Sequence, residues 1–197
     1  MDRRKALKTT GLLAGATLAL PSALSLLQSC QSQNRLDWEP EFFTTSEALL
    51  VRTLADTILP RTETPGALDV HVDVFLDRLM GRAYGPEGQA AMHQALEDFD
   101  AQCLKIYGNV FAELDPEGRS QVLQAAEASN GKFRMSVWGT AVGEERPIGF
   151  YRELKSTLLW AYFSSEKIGK EVLSYDPIPG AYKGCIPLSE VGNRWSL

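Results

Sequence analysis

From Thr44 onward the apolar residues recur at three- and four-residue intervals, the spacing of helices that bury one face. Thr44-Thr45-Ser46-Glu47 has the form of a capping box. It opens a predicted helix through about Leu59, on which Leu50, Val51, Leu54, Ala55 and Ile58 make one stripe, and Pro60 stops it. Beyond a loop holding Pro65-Gly66, Asp69 is placed to cap a second helix, with Val72, Phe75, Leu76, Leu79 and Met80 facing inward. A third helix is expected from about Pro86 to Tyr107, with Met92, Leu96, Phe99, Cys103 and Ile106 as its inner stripe. Asp115-Pro116, an N-cap followed by proline at the first helical position, opens a fourth that runs to about Ala128, before Asn130-Gly131. The stretch from Ser136 to Arg146 carries Gly139 and Gly143 and no clear period. A strong helical pattern returns from about Pro147 to Phe163, and Ser164 or Ser165 caps a last short helix to about Leu173. No convincing period-two strand is present. The expected fold is all-α, a compact single domain of five or six helices.

After Leu173 the pattern breaks. Residues 175–187 contain Pro177, Pro179 and Pro187 with Gly180 and Gly184, a composition that forbids regular structure. Tyr175, Ile178, Tyr182, Cys185 and Ile186 give this irregular tail, taken as residues 174–197, adhesive side chains. It must pack on its own domain or on a partner.

The front of the chain follows a different logic. Arg3, Arg4, Lys5 and Lys8 precede an apolar stretch from Thr9 to Leu27, the layout of an export signal. The adjacent arginines, and an apolar stretch diluted by Gly11, Gly15 and alanines, resemble a twin-arginine signal, whose route carries folded cargo. A retained membrane helix is the alternative, since nineteen apolar-leaning residues just span a bilayer, but Pro21 and the small residues weaken it. Leu27-Gln28-Ser29-Cys30 resembles a lipobox, in which Cys30 becomes a lipidated N-terminus. The alternative is simple cleavage and a soluble periplasmic product. The expected organisation is a signal over residues 1–29, a tether over 30–43 and a helical domain over 44–197.

The formal net charge of −5 includes +3 from residues 1–29, which leaves −8 on the remainder. An acidic domain has no electrostatic reason to seek nucleic acid, and it offers no polybasic patch for anionic lipid. The two histidines, His71 and His93, stand in no zinc-binding spacing, and Cys30, Cys103 and Cys185 form no C-x-x-C. No glycine-rich phosphate cradle, nucleophile elbow or haem-attachment motif occurs. The acidic pairs Glu97-Asp98 and Glu144-Glu145 read as solvated surface, His71 as a surface or half-buried helix residue, and Cys103 as a small buried hydrophobe. Cys185, preceded by glycine in the tail, is either a disulfide partner for another subunit or a free thiol. No catalytic, cofactor-binding or metal residue is assigned.

Three stretches nevertheless carry a resemblance. They are the twin arginines; Leu54-Ala55-Asp56-Thr57-Ile58-Leu59-Pro60 continuing through Thr64-Pro65-Gly66-Ala67 to Val74-Phe75-Leu76-Asp77; and Phe150-Tyr151 through Tyr162-Phe163-Ser164-Ser165-Glu166 with the tail Pro177-x-Pro179-Gly180-x-Tyr182-x-Gly184-Cys185-x-Pro187. The chain resembles the gluconate 2-dehydrogenase subunit 3 family, small subunits of membrane-bound flavin dehydrogenases of the glucose–methanol–choline type. The match covers most of the chain after the signal; the span from Gly85 to Arg146 adds only helical character. The resemblance implies a cofactor-free small subunit. Its large partner holds FAD and oxidises a sugar, sugar acid or glycoside, and a cytochrome c subunit with haem c often takes the electrons. It implies passage through the twin-arginine translocase and a periplasmic, membrane-anchored complex. Partner contacts are expected at Tyr175, Pro177, Pro179, Gly180, Tyr182, Gly184 and Cys185, with Trp160 and Trp195 as further aromatic candidates. Two alternatives stand beside this reading, a stand-alone periplasmic lipoprotein that binds a ligand or surface protein, and an enzyme in its own right.

Overall fold

A computed structural model of the chain describes residues 36–131, 135–137, 140–142, 148–176, 178, 180, 184–194 and 196. The unit from Trp38 onward is all-α. Its helices are α1 (Thr45–Ile58), α2 (Val72–Ala83), α3 (Pro86–Tyr107), α4 (Pro116–Ser129), α5 (Phe150–Phe163), α6 (Glu166–Glu171) and the single turn α7 (Leu188–Val191). Single 3-10 turns, Leu68–Val70 and Phe111–Glu113, lie between α1 and α2 and between α3 and α4. The stretch from Ser136 to Arg146, which carries no predicted element, overlaps an antiparallel pair, β1 (Met135–Val137) with β2 (Thr140–Val142), in the register Met135–Val142 to Val137–Thr140. Three-residue strands are too short for an alternating period to show in sequence.

Helix α1 is the centre. It packs against α2, α3, α4 and the Phe111–Glu113 turn, while α2 and α4 also pack on α5, and α5 on α6. Ala48, Leu50, Val51, Leu54 and Ala55 of α1 are buried, and Leu76, Met80, Leu96, Phe111, Leu154, Leu158 and Ile168 from the other elements complete the core. The predicted capping box is complete: the Thr44 hydroxyl accepts from the Glu47 amide and a Glu47 carboxylate oxygen accepts from the Thr44 amide at 2.8 Å. Asp115 caps α4 as expected, accepting from the Gly118 amide at 2.7 Å.

The stretch that follows α1 is closed by the residues singled out above. The Ala67 amide donates to the Leu59 carbonyl at 2.8 Å, and Tyr162 Oη donates to the Pro65 carbonyl at 2.7 Å. A side chain at Gly66 would stand 2.6 Å from the Arg61 backbone nitrogen, so only glycine fits there. Asp69 does not cap α2. Its carboxylate instead accepts from the Gly66 amide at 2.8 Å and pairs with Arg61, while His71, in the left-handed region at φ 54°, precedes α2 without a side-chain cap.

Helix α2 departs from the expected stripe by one position. Its buried residues are Val72, Asp73, Leu76, Asp77 and Met80, and Phe75 is left 41% exposed. Two carboxylates four residues apart on an inward face repel and lose hydration, so they persist only where donors converge on them. Asp77, 1% exposed, accepts from the amides of Glu41 (2.8 Å), Phe42 (3.0 Å) and Phe43 (2.8 Å). Asp73, equally buried, accepts from Trp38 Nε1 at 3.2 Å and from Arg52 of α1 at 3.1 Å. Residues 38–43 are therefore a strap docked on α2, where a tether was expected to continue through residue 43. Phe42 seals the strap by stacking on His93 of α3, with centroids 4.4 Å apart, and His93 Nδ1 lies 2.7 Å from Glu47. On α3, Leu96, Phe99 and Cys103 are buried as expected, but Ile106 is 60% exposed, on the wall of an open groove between α3 and α4.

Replacing Asp77 with alanine leaves three strap amides without an acceptor, and unmet buried donors cost about 1–3 kcal/mol each before relaxation or hydration. The variant is expected to lose about 3 kcal/mol in urea unfolding and to become cleavable by protease near residues 38–43 under native conditions. An unchanged midpoint with a protected strap would show that the carboxylate is dispensable.

Candidate partner-binding surface

Helices α2 and α5 meet with two rings at their outer seam. Trp160 is 54% exposed and tilts against Phe75 with centroids 5.6 Å apart. Phe163, one turn on from Trp160, is also exposed, and the Arg194 guanidinium sits 5.6 Å from its ring centre. These rings lead from the helical seam to the C-terminal segment.

That segment is a loop tied at its base. Ser174 donates its amide to the Arg194 carbonyl and accepts from the Ser196 amide, both at 2.9 Å. The Asn193 amide donates to Ser174 Oγ at 3.0 Å, and Asn193 Nδ2 donates to the Val172 carbonyl at 2.8 Å. The absence of a side chain at Gly169 makes room for Ser196, whose hydroxyl would otherwise meet a Cβ at 2.9 Å. Between these ties the described residues face outward: Tyr175, Gly180, Gly184, Cys185 and Ile186 are exposed, and Ile178 and Leu188 almost fully so, at 84% and 85%. Of the tail candidates, Tyr175, Gly180, Gly184 and Cys185 are thus presented on the surface. Pro177, Pro179 and Tyr182 lie outside the described residues, as do Trp195, the signal arginines Arg3 and Arg4, and Cys30. Phe75 escaped sequence reasoning because a ring at helical spacing reads as core.

A separate groove of about 420 Å³ opens between α3, α4 and the start of α5. Phe99, Cys103, Val122, Phe150 and Tyr151 line it, and Asp98 contributes a carboxylate. Burial, with Asp100 adding to it, pushes the Cys103 thiol up to about 11, so it is protonated and unreactive at neutral pH. Burial likewise raises Asp100 itself, against the Phe111 amide that donates to it at 2.8 Å. Across the α4–α5 seam, the Lys155 ammonium, with Arg152 beside it, holds the Glu127 carboxyl below its ordinary range. Glu97 and Asp98 are exposed, as is His71, and Glu144 and Glu145 lie outside the described residues. Among the described residues no group of three or more His, Cys, Asp or Glu side chains is placed to hold a metal ion, and no helix is long and apolar enough to cross a membrane.

The family model described as gluconate 2-dehydrogenase subunit 3 matches residues 45–180, from the first residue of α1 into the C-terminal loop. The chain belongs to the gluconate 2-dehydrogenase subunit 3 family. It matches no curated protein and no solved structure. Membership makes it an accessory subunit of a gluconate 2-dehydrogenase type of assembly, one that works beside other subunits. The matched span includes Phe75, Trp160 and Tyr175, whereas Gly184 and Cys185 follow it.

The two described cysteines are unpaired, Cys103 buried and Cys185 exposed. Iodoacetamide at pH 8 is expected to alkylate Cys185 in the folded, uncomplexed subunit while sparing Cys103, and to reach Cys103 only after unfolding. Peptide mass spectrometry reads this directly. Equal labelling of both thiols in the native protein would contradict the buried placement of Cys103.

Proposed function

We propose that this chain is the non-catalytic small subunit of a flavin-dependent sugar or sugar-acid dehydrogenase, and that it supports the export, folding and stability of the FAD-bearing large subunit. The observation that carries the reading is the family match over residues 45–180 joined to an outward-facing, base-tied C-terminal loop. Dinucleotide pyrophosphates are held where a strand turns into a helix N-terminus. The described strands here are two three-residue segments of one hairpin, which supports placing the flavin in the partner.

The division of labour follows from physical constraints. A flavoprotein folds around its cofactor before crossing a membrane, so it needs a route for folded cargo. A bound subunit with the Arg3-Arg4 signal supplies the address for the twin-arginine translocase. Cys30, once lipidated, holds the assembled complex at the periplasmic face of the membrane. In this reading the exposed Cys185 pairs with a partner thiol, and a cytochrome c subunit carrying haem c completes the electron path.

A second reading, a stand-alone periplasmic lipoprotein that binds a small ligand, draws on the 420 Å³ groove, which falls within the size range of small-molecule sites. A purified monomer that retains no flavoprotein in pull-downs would favour it.

Changing Arg3 and Arg4 together to lysine is expected to leave the large subunit in the cytoplasm and to cut periplasmic dehydrogenase activity at least about tenfold. Cell fractionation with an activity stain measures this. Unchanged periplasmic activity would count against the escort role.

A further inference from the structure

We propose that the Phe75–Trp160 ring pair on the α2–α5 seam is the energetic centre of the contact with the flavoprotein subunit, with the C-terminal loop as its flank. This rests on the reading above that such a subunit is bound.

Phe75 and Trp160 are held ring against ring across two helices whose inner faces are packed, so their positions are set before any partner arrives. Rigid, half-exposed aromatic side chains lose little entropy on binding, and they dominate the centres of protein interfaces. Other exposed positions of α5 on the same side as Trp160 are Glu153, Ser156 and Phe163, with Thr157 half-exposed and its hydroxyl donating to the Glu153 carbonyl at 3.0 Å. Charged side chains stand around the rings rather than between them, with Glu153 two turns before Trp160 and Arg78 one turn after Phe75, the arrangement of an apolar centre inside a polar rim.

The area agrees with a large protein partner. Phe75, Trp160 and Phe163 together expose roughly 300 Å², about the size of the largest apolar patch on an ordinary monomer. Tyr175, Ile178, Ile186 and Leu188 of the loop are exposed too, and a contact that reached them as well would cover roughly 700 Å² of apolar side chain, close to the ~800 Å² that each partner commits to a standard interface. The Arg194–Phe163 contact joins the two parts, since Arg194 belongs to the tied base of the loop. An accessory subunit has such a partner by definition, and the seam and the start of the loop lie within the matched span.

The test uses the full processed chain and an FAD-loaded glucose–methanol–choline-type flavoprotein from the same genome. Trp160→Ala and Phe75→Ala are each expected to weaken binding about 30-fold or more by interferometry while keeping the wild-type melting temperature within a few degrees. Leu104→Ala, an exposed apolar position on α3, should leave affinity within about twofold. Oxidative footprinting of the wild-type complex is independent of any variant's folding, and both rings should be protected in it. Rings that stay reactive in the complex, or affinity unchanged in both seam variants, would overturn the proposal. So would a Trp160-dependent homodimer, or Trp160-dependent binding to phosphatidylglycerol vesicles, with flavoprotein affinity intact. If the wild-type chain does not bind the flavoprotein at all, the proposed function fails before this inference is reached.

Discussion

Two buried carboxylates on one turn of α2 set the terms for the rest of the molecule. Asp77 gathers three consecutive backbone amides of the strap, and Asp73 ties the strap's Trp38 to Arg52 of the central helix. A buried carboxylate without donors would cost several kcal/mol, so the strap, α1 and α2 must all be in place together. Folding of the core and docking of residues 38–43 are thereby coupled. The chain that leads back toward the amino terminus departs from a fixed point on the folded body.

The same carboxylates shape the outer surface. An α2 that turns Asp73 and Asp77 inward cannot also bury Phe75, and the ring emerges beside Trp160 of α5. The C-terminal loop meets the same side through Arg194 and Phe163, and Ser174 and Asn193 fix its base. Internal polar satisfaction and an external aromatic seam are two faces of one helix rotation. The result fits an accessory subunit, whose business is contact with other chains.

Much of this was legible in the residues. The Thr44–Glu47 capping box, the Asp115-Pro116 helix start, Pro60 as a stop and the all-α class all follow from local chemistry, and the structure bears them out. The burial of Asp73 and Asp77 was not, because their donors come from a strap about 35 residues away and no local period announces them. Ile106 was misassigned for a related reason: helical spacing says which residues share a face, not whether anything covers it. The outward loop around Tyr175 and Cys185 could be anticipated from prolines and glycines that preclude packing into a helix, whereas the tie at Ser174 depends on distant carbonyls and could not.

The central claim is that this chain lends a flavoprotein its contacts and its passage but holds no flavin itself. Native mass spectrometry of the complex purified from its own membranes tests it most directly, with collisional release of each chain. The account predicts an assembly containing this chain and a larger one, in which the FAD mass stays with the larger chain. A lone small subunit with no partner, or FAD retained on this chain after release, would contradict it.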